Sequence, residues 1–146
     1  MSCSFDLAHY AEILEAAKTG GYRFTTFGEP PVRRDIFLRH DIDLSLDAAL
    51  QMAELEAEHG VQATYLLMTE SVFYNLASSE GTAAIGRLRE LSHAVGHHAV
   101  YPNVELDDRF DPVVSWHNPK AEFMSQTIPG AINVYAEPYF DPPTYR

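Results

Sequence analysis

The groups able to do chemistry in this chain fall in three short stretches. His40, Asp41 and Asp43 stand in Arg39-His40-Asp41-Ile42-Asp43; His93, His97 and His98 in Ser92-His93-Ala94-Val95-Gly96-His97-His98; Ser115, His117 and Asn118 in Ser115-Trp116-His117-Asn118-Pro119. Together they hold most of the seven histidines. Carboxylates at i and i+2 point to the same side of an extended strand. Held that close, they repel unless a cation or a shared proton relieves them. Mixed imidazole and carboxylate groups suit Zn²⁺ and similar first-row ions. A carboxylate not spent as a ligand could act as general base on water.

Each residue also has a plainer reading. Asp41 and Asp43 could be helix-capping acids in a surface turn. His97 and His98 could be one core residue and one exposed neighbour. His93 could satisfy a carbonyl, His117 could pack against Trp116, and His40 could pair with Asp41 or Asp43. What favours a common site is that these groups recur at successive strand ends. His9 and His59 lie on helical segments and are given no part in it.

The elements that must position them alternate. The apolar run Ile36 to Leu38 stops at Arg39 and reads as a buried strand. Its polar end would lie where ligands bind, outside the carboxyl ends of parallel strands. Ser45 is an N-cap for a helix whose stripe is Leu46, Ala49, Leu50, Ala53 and Ala57, closed by His59-Gly60. Val61 to Met68 is a second strand, His93 to His98 a third, Val113 to His117 a fourth, and Ala131 to Tyr135 a fifth. An N-terminal helix carries Leu7, Tyr10, Ala11, Leu14 and Ala17 and ends at Gly20-Gly21. Another runs from about Thr82 to Leu91, and Ser71 to Leu76 is a short helical turn. Strands alternating with helices predict a parallel sheet in an α/β fold. Beyond Ala99 the connections read as loops, and Pro138 to Arg146 as a tail or a domain cut short.

Composition narrows the classes. A chain of 146 residues, 46% apolar, fits a single domain spanning 1–146. A formal charge of −11 argues against unaided nucleic-acid binding and against anionic membrane surfaces. No run of 18 apolar residues exists to cross a bilayer. The start, MSCSFDLAHY, shows no signal peptide, and one cysteine, Cys3, excludes an internal disulfide. Both suit a cytoplasmic protein.

Taken in order, Leu38-Arg39-His40-Asp41-Ile42-Asp43-Leu44-Ser45, Ala63-Thr64-Tyr65, Ser92 to His98 and Val114-Ser115-Trp116-His117-Asn118-Pro119 resemble the polysaccharide deacetylase-like superfamily. The likeness is to the branch with an Arg-His-Asp-aliphatic-Asp first motif, over roughly Gly21 to Arg146. The resemblance implies a partial or distorted (β/α) barrel holding one divalent metal, usually zinc. It implies hydrolysis of N-acetyl groups of amino sugars, or of other carbon–nitrogen bonds. By position it makes Asp41 the general base and Asp43 a ligand, although Ile42 splits the family's adjacent Asp pair. His98 matches the first histidine of a His-x-x-x-His segment, but Pro102 stands where the second is expected. His93 or His117 would have to replace it. With His93 taken as third ligand, His117 is left as the catalytic acid.

A full eight-unit barrel needs ~250 residues. The resemblance therefore implies a partial barrel, a truncation, or a barrel completed by another subunit. Uncovered apolar surface would favour a homo-oligomer. The expected partner is a carbohydrate or other small amide substrate, with Trp116, Tyr101 and Tyr135 as surfaces for sugar rings. An inactive carbohydrate-binding or scaffold protein on the same fold is the competing expectation.

Overall fold

The structure, a computed structural model, describes residues 6–140. Cys3, the opening residues and the end of the tail, 141–146, lie outside the described residues, and so do the expectations that rest on them.

Local sequence accounts for the three long helices among the described residues. Helix α1 (Leu7–Thr19) is capped by Asp6, whose carboxylate accepts from the His9 amide at 2.8 Å. Helix α2 (Leu46–Glu58) is capped by Ser45, as expected, and the chain leaves it through Gly60 at φ 66°. Helix α3 (Ser79–Glu90) begins earlier than the apolar spacing indicates, because Ser78 caps it. Such caps satisfy amides that have no partner inside the helix. A short helix, α4 (Ala121–Met124), follows later.

Among the described residues seven strands form two sheets, and all the pairings are parallel. Strands β1 (Arg23–Thr25) and β2 (Asp35–Phe37) pair with each other. The main sheet contains β3 (Arg39–Ile42), β4 (Thr64–Leu67), β5 (Ala94–Ala99), β6 (Val113–Trp116) and β7 (Ile132–Asn133), side by side in sequence order. Parallel strands in chain order bring all their carboxyl ends to one edge, where loops meet. The α/β expectation holds at this level. Among the described residues the main sheet is open, with β3 and β7 at its edges and no pairing that closes it.

Three expectations change. The run Ile36 to Leu38 is not one strand with a polar end. The chain leaves the small sheet after Phe37 and enters the main one at Arg39, while the Leu38 carbonyl still accepts from Thr64 N at 2.9 Å. Arg39, His40 and Asp41 are therefore inside a strand. Ser71 to Leu76 forms bends and turns, not a helical turn. The tail is also engaged as far as it is described: the Tyr139 ring packs on Phe27 and Phe37 at 5.0 Å, and its hydroxyl bonds Gly28 N and Glu29 O.

The helix-facing side of the sheet buries Ile42, Tyr65, Leu67 and Val95 against Ala49, Ala53, Ile85 and Leu88. Each large apolar side chain so buried contributes ~1.5–3 kcal/mol. The other side packs Leu66, Val113 and Val134 with Phe27 and Ile132. Gly96 lies there, and a Cβ on it would stand 2.6 Å from both Leu66 Cδ2 and the Val113 carbonyl oxygen.

A carboxylate is buried on the helix side. Glu56 is 0% exposed and accepts from the Tyr10 hydroxyl at 2.5 Å and the Tyr65 hydroxyl at 2.7 Å, with His40 Nε2 at 2.6 Å. Burial pushes its carboxyl up, but the His40 hydrogen bond and charge and the two tyrosines outweigh this and hold it below the usual 4.5. A buried carboxylate is tolerated when partners satisfy it in this way. The network ties α1 and α2 to β3 and β4.

Candidate metal centre

Alternation along the strands sorts the polar side chains. On β3, His40 turns to the helix side and meets Glu56, whereas Arg39 and Asp41 turn to the opposite face. On β5, His97 and His98 likewise part. His97 packs on Phe110 at 4.9 Å, and His98 faces Ser115, its register partner on β6. Asp43 and His117 follow the last residues of β3 and β6, so they stand at the carboxyl edge.

There the structure brings Asp43, His98 and His117 together, each with a ligand atom within 4.8 Å of the others. His98 Nε2 and His117 Nδ1 lie 3.1 and 3.0 Å from the same oxygen, Asp43 Oδ1. The two rings meet edge to face at 5.5 Å. His98 is a buried anchor at 2% side-chain exposure, while Asp43 (41%) and His117 (38%) open to solvent. Burial pushes the His98 imidazole below its usual pKa, against the pull of Asp41 and Asp43, which favours the neutral form that metals require.

Behind this group lies a second set of contacts. The Ser115 hydroxyl lies 2.7 Å from His98 Nδ1 and 3.2 Å from Asp41 Oδ1. The other Asp41 oxygen accepts from Arg39 at 3.1 Å. The Arg39 guanidinium sits 4.9 Å from the centre of the Tyr135 ring and bonds its hydroxyl at 3.3 Å. Asp41 is thus adjacent to the group without joining it.

The residues fit a cation. Tetrahedral Zn²⁺ with ligand bonds of ~2.0–2.2 Å places its donors roughly 3.4 Å apart, close to the two separations around Asp43 Oδ1. His98 Nε2 is buried and, despite that proximity, has no hydrogen-bond partner. A buried ring nitrogen without a hydrogen bond, beside a carboxylate and a second imidazole, is otherwise unfavourable. The donor set of one carboxylate and two imidazoles suits first-row divalent ions.

His93 does not belong to this group. It precedes β5, at the other end of the strand from His98, where its Nδ1 accepts from Ala63 N at 3.1 Å and Nε2 donates to Ala53 O at 2.9 Å. Both nitrogens serve the backbone, so it is a core residue joining β4 to α2. His117, expected as the acid, is the imidazole that stands with Asp43 and His98. Trp116 is 1% exposed, its Nε1 donating to Tyr101 O, so it offers no face to a sugar ring; Tyr101 is exposed. Sequence reasoning gave Arg39 no role and offered only His40 as a partner for Asp41, whereas His40 turns to Glu56. The signal was present, since Arg39 is two residues from Asp41 and Ser115 two from His117, and that spacing shares a strand face.

Comparison with protein-family models, with curated proteins and with solved structures finds no match.

Proposed function

We propose that this chain is a metal-dependent hydrolase of carbon–nitrogen (amide) bonds, acting on an N-acetylated carbohydrate or similar small amide. Asp43, His98 and His117 are its metal ligands and Asp41 is its general base. The observation that carries the reading is the buried His98 Nε2, without a hydrogen bond and 3.1 Å from Asp43 Oδ1, beside a further carboxylate that is held back from the group. The ordered resemblance to the polysaccharide deacetylase-like superfamily points the same way.

A divalent ion, Zn²⁺ by the donor set, would supply Lewis acidity for the carbonyl and make water more acidic. Arg39 holds Asp41 in place and keeps its negative charge paired. Asp41 takes a proton from the attacking water. With His117 among the ligands, the same carboxyl returns that proton to the departing nitrogen, so one acid–base group serves both halves of the reaction. Solvent exposure of Asp43 and His117 leaves the open side for the substrate.

Two variants test this. Asp41→Asn should retain the ion and lose about 10²–10⁴-fold in turnover, because an amide cannot accept the proton. Asp43→Asn should lower metal affinity first, with activity partly restored by excess ion. The measurements are metal content per chain and acetate release from N-acetylated sugar oligomers. A wild-type chain that binds no divalent ion at micromolar concentration overturns the proposal. A chain that binds the ion and a sugar oligomer but releases no acetate is the inactive carbohydrate-binding protein.

A further inference from the structure

One hydroxyl stands between the proposed base and the buried ligand. Ser115 is 0% exposed, and its Oγ lies 3.2 Å from Asp41 Oδ1 and 2.7 Å from His98 Nδ1. A hydroxyl has one proton to donate, and an ionised carboxylate can only accept. The proton therefore goes to Asp41, and the Oγ lone pair receives the hydrogen on His98 Nδ1. A neutral imidazole with its hydrogen on Nδ1 carries its lone pair on Nε2. That is the atom that faces Asp43 at 3.1 Å, beside His117, without a hydrogen bond. The reverse arrangement sets the serine lone pairs against the carboxylate and puts a hydrogen on Nε2, in the ligand position.

We infer that Ser115 is a positioning residue that selects the Nδ1–H tautomer of His98 and ties that imidazole to Asp41. The inference rests on the metal-centre reading for its purpose, though not for its geometry. Direct contact cannot replace the serine, because His98 Nδ1 and Asp41 Oδ1 are 3.9 Å apart. Alanine would fill the strand position but leave a buried N–H and a carboxylate oxygen without a bridge.

The test is nitrogen-15 NMR of histidine-labelled, metal-free protein, together with Zn²⁺ titration. In the wild type His98 should show a protonated Nδ1 and a bare Nε2. In Ser115→Ala that bias should be lost and Zn²⁺ affinity should fall about 10–100-fold, the usual cost of removing a group that orients a ligand. Ser115→Thr keeps the hydroxyl and should restore both, and urea unfolding monitors the fold of each variant. An Nε2–H tautomer in the wild type, or an unchanged tautomer in Ser115→Ala, overturns the inference. So does a Zn²⁺ affinity that Ser115→Ala leaves intact, which would leave the metal reading standing. A serine-dependent Nδ1–H tautomer in a chain that takes up no Zn²⁺ supports the positioning and sinks the metal reading instead.

Discussion

Truncating Glu56 should be among the most damaging single changes in this fold, although the residue lies on a helix away from the candidate centre. Three groups point at its carboxylate, from α1 (Tyr10), β3 (His40) and β4 (Tyr65), at 2.5–2.7 Å. In Glu56→Ala all three stay buried or half-buried without the acceptor. A hydrogen bond to a charged group is worth ~1.5–3 kcal/mol net, but losses within one network do not add. Removing one partner of a buried charged pair costs ~3–5 kcal/mol, and we expect a loss in that range. Glu56→Gln keeps an amide oxygen for two of the donors and should lose about 1.5–3 kcal/mol, one charge-assisted bond. With a urea slope of ~1–3 kcal/mol per molar, the alanine variant should unfold at least about 1 M earlier.

The same residue predicts a pH effect. Its folded pKa is lowered, so the unfolded chain takes the proton first as pH falls. Its contribution is complete above the ordinary value of 4.5 and is lost as pH falls through the folded value. Glu56→Gln should flatten the acid limb of the stability curve below that point. If the alanine variant unfolds within about 0.3 M of wild type, against the slope above, the network carries little stability and this reasoning fails.

Two further outcomes follow from the packing. His93→Leu should cost about 1–3 kcal/mol by leaving buried Ala63 N–H or Ala53 C=O groups without a partner, while Zn²⁺ affinity stays within error of wild type. A large loss of affinity with an intact fold would return His93 to the ligand set. Gly96→Ala should cost ~1–3 kcal/mol by overpacking: the Leu66 methyl can turn aside, but the Val113 carbonyl is backbone and cannot. Urea unfolding measures it, and an unchanged midpoint would mean that the sheet has more slack than its contacts indicate.

How legible these features were in the sequence depended on the range of the signal. Ser45 and the stripe after it marked α2, because capping and helical spacing are local. The parallel sheet followed from the alternation of strands and helices. The break at Leu38 left no such mark, since which sheet a strand joins is decided by distant partners such as Thr64. His93 was misplaced by treating His93 to His98 as a single polar end. Five residues of strand span roughly 16 Å, and the odd separation also puts the two side chains on opposite faces. Glu56 was overlooked although it continues the line Ala49, Ala53 on the buried side of α2. An acid is normally read as solvent-facing, and only the three-dimensional meeting of Tyr10, His40 and Tyr65 makes this one a core residue.

The alternation on β3 has a consequence for how such a chain can vary over generations. Its odd residues, Arg39 and Asp41, turn to the face that carries the candidate centre, and its even residues, His40 and Ile42, belong to the core. Insertion or deletion of one codon within the strand inverts that parity, setting His40 where Asp41 stands and a carboxylate among apolar neighbours. Binding and folding would be lost in one event, with no intermediate that keeps either. The loops that leave the carboxyl edge, residues 69–77, 100–106 and 118–120, carry no such parity constraint on their length. Changes of size should therefore accumulate there between lineages, altering what approaches the centre, while the reading frame through Arg39 to Asp43 stays fixed.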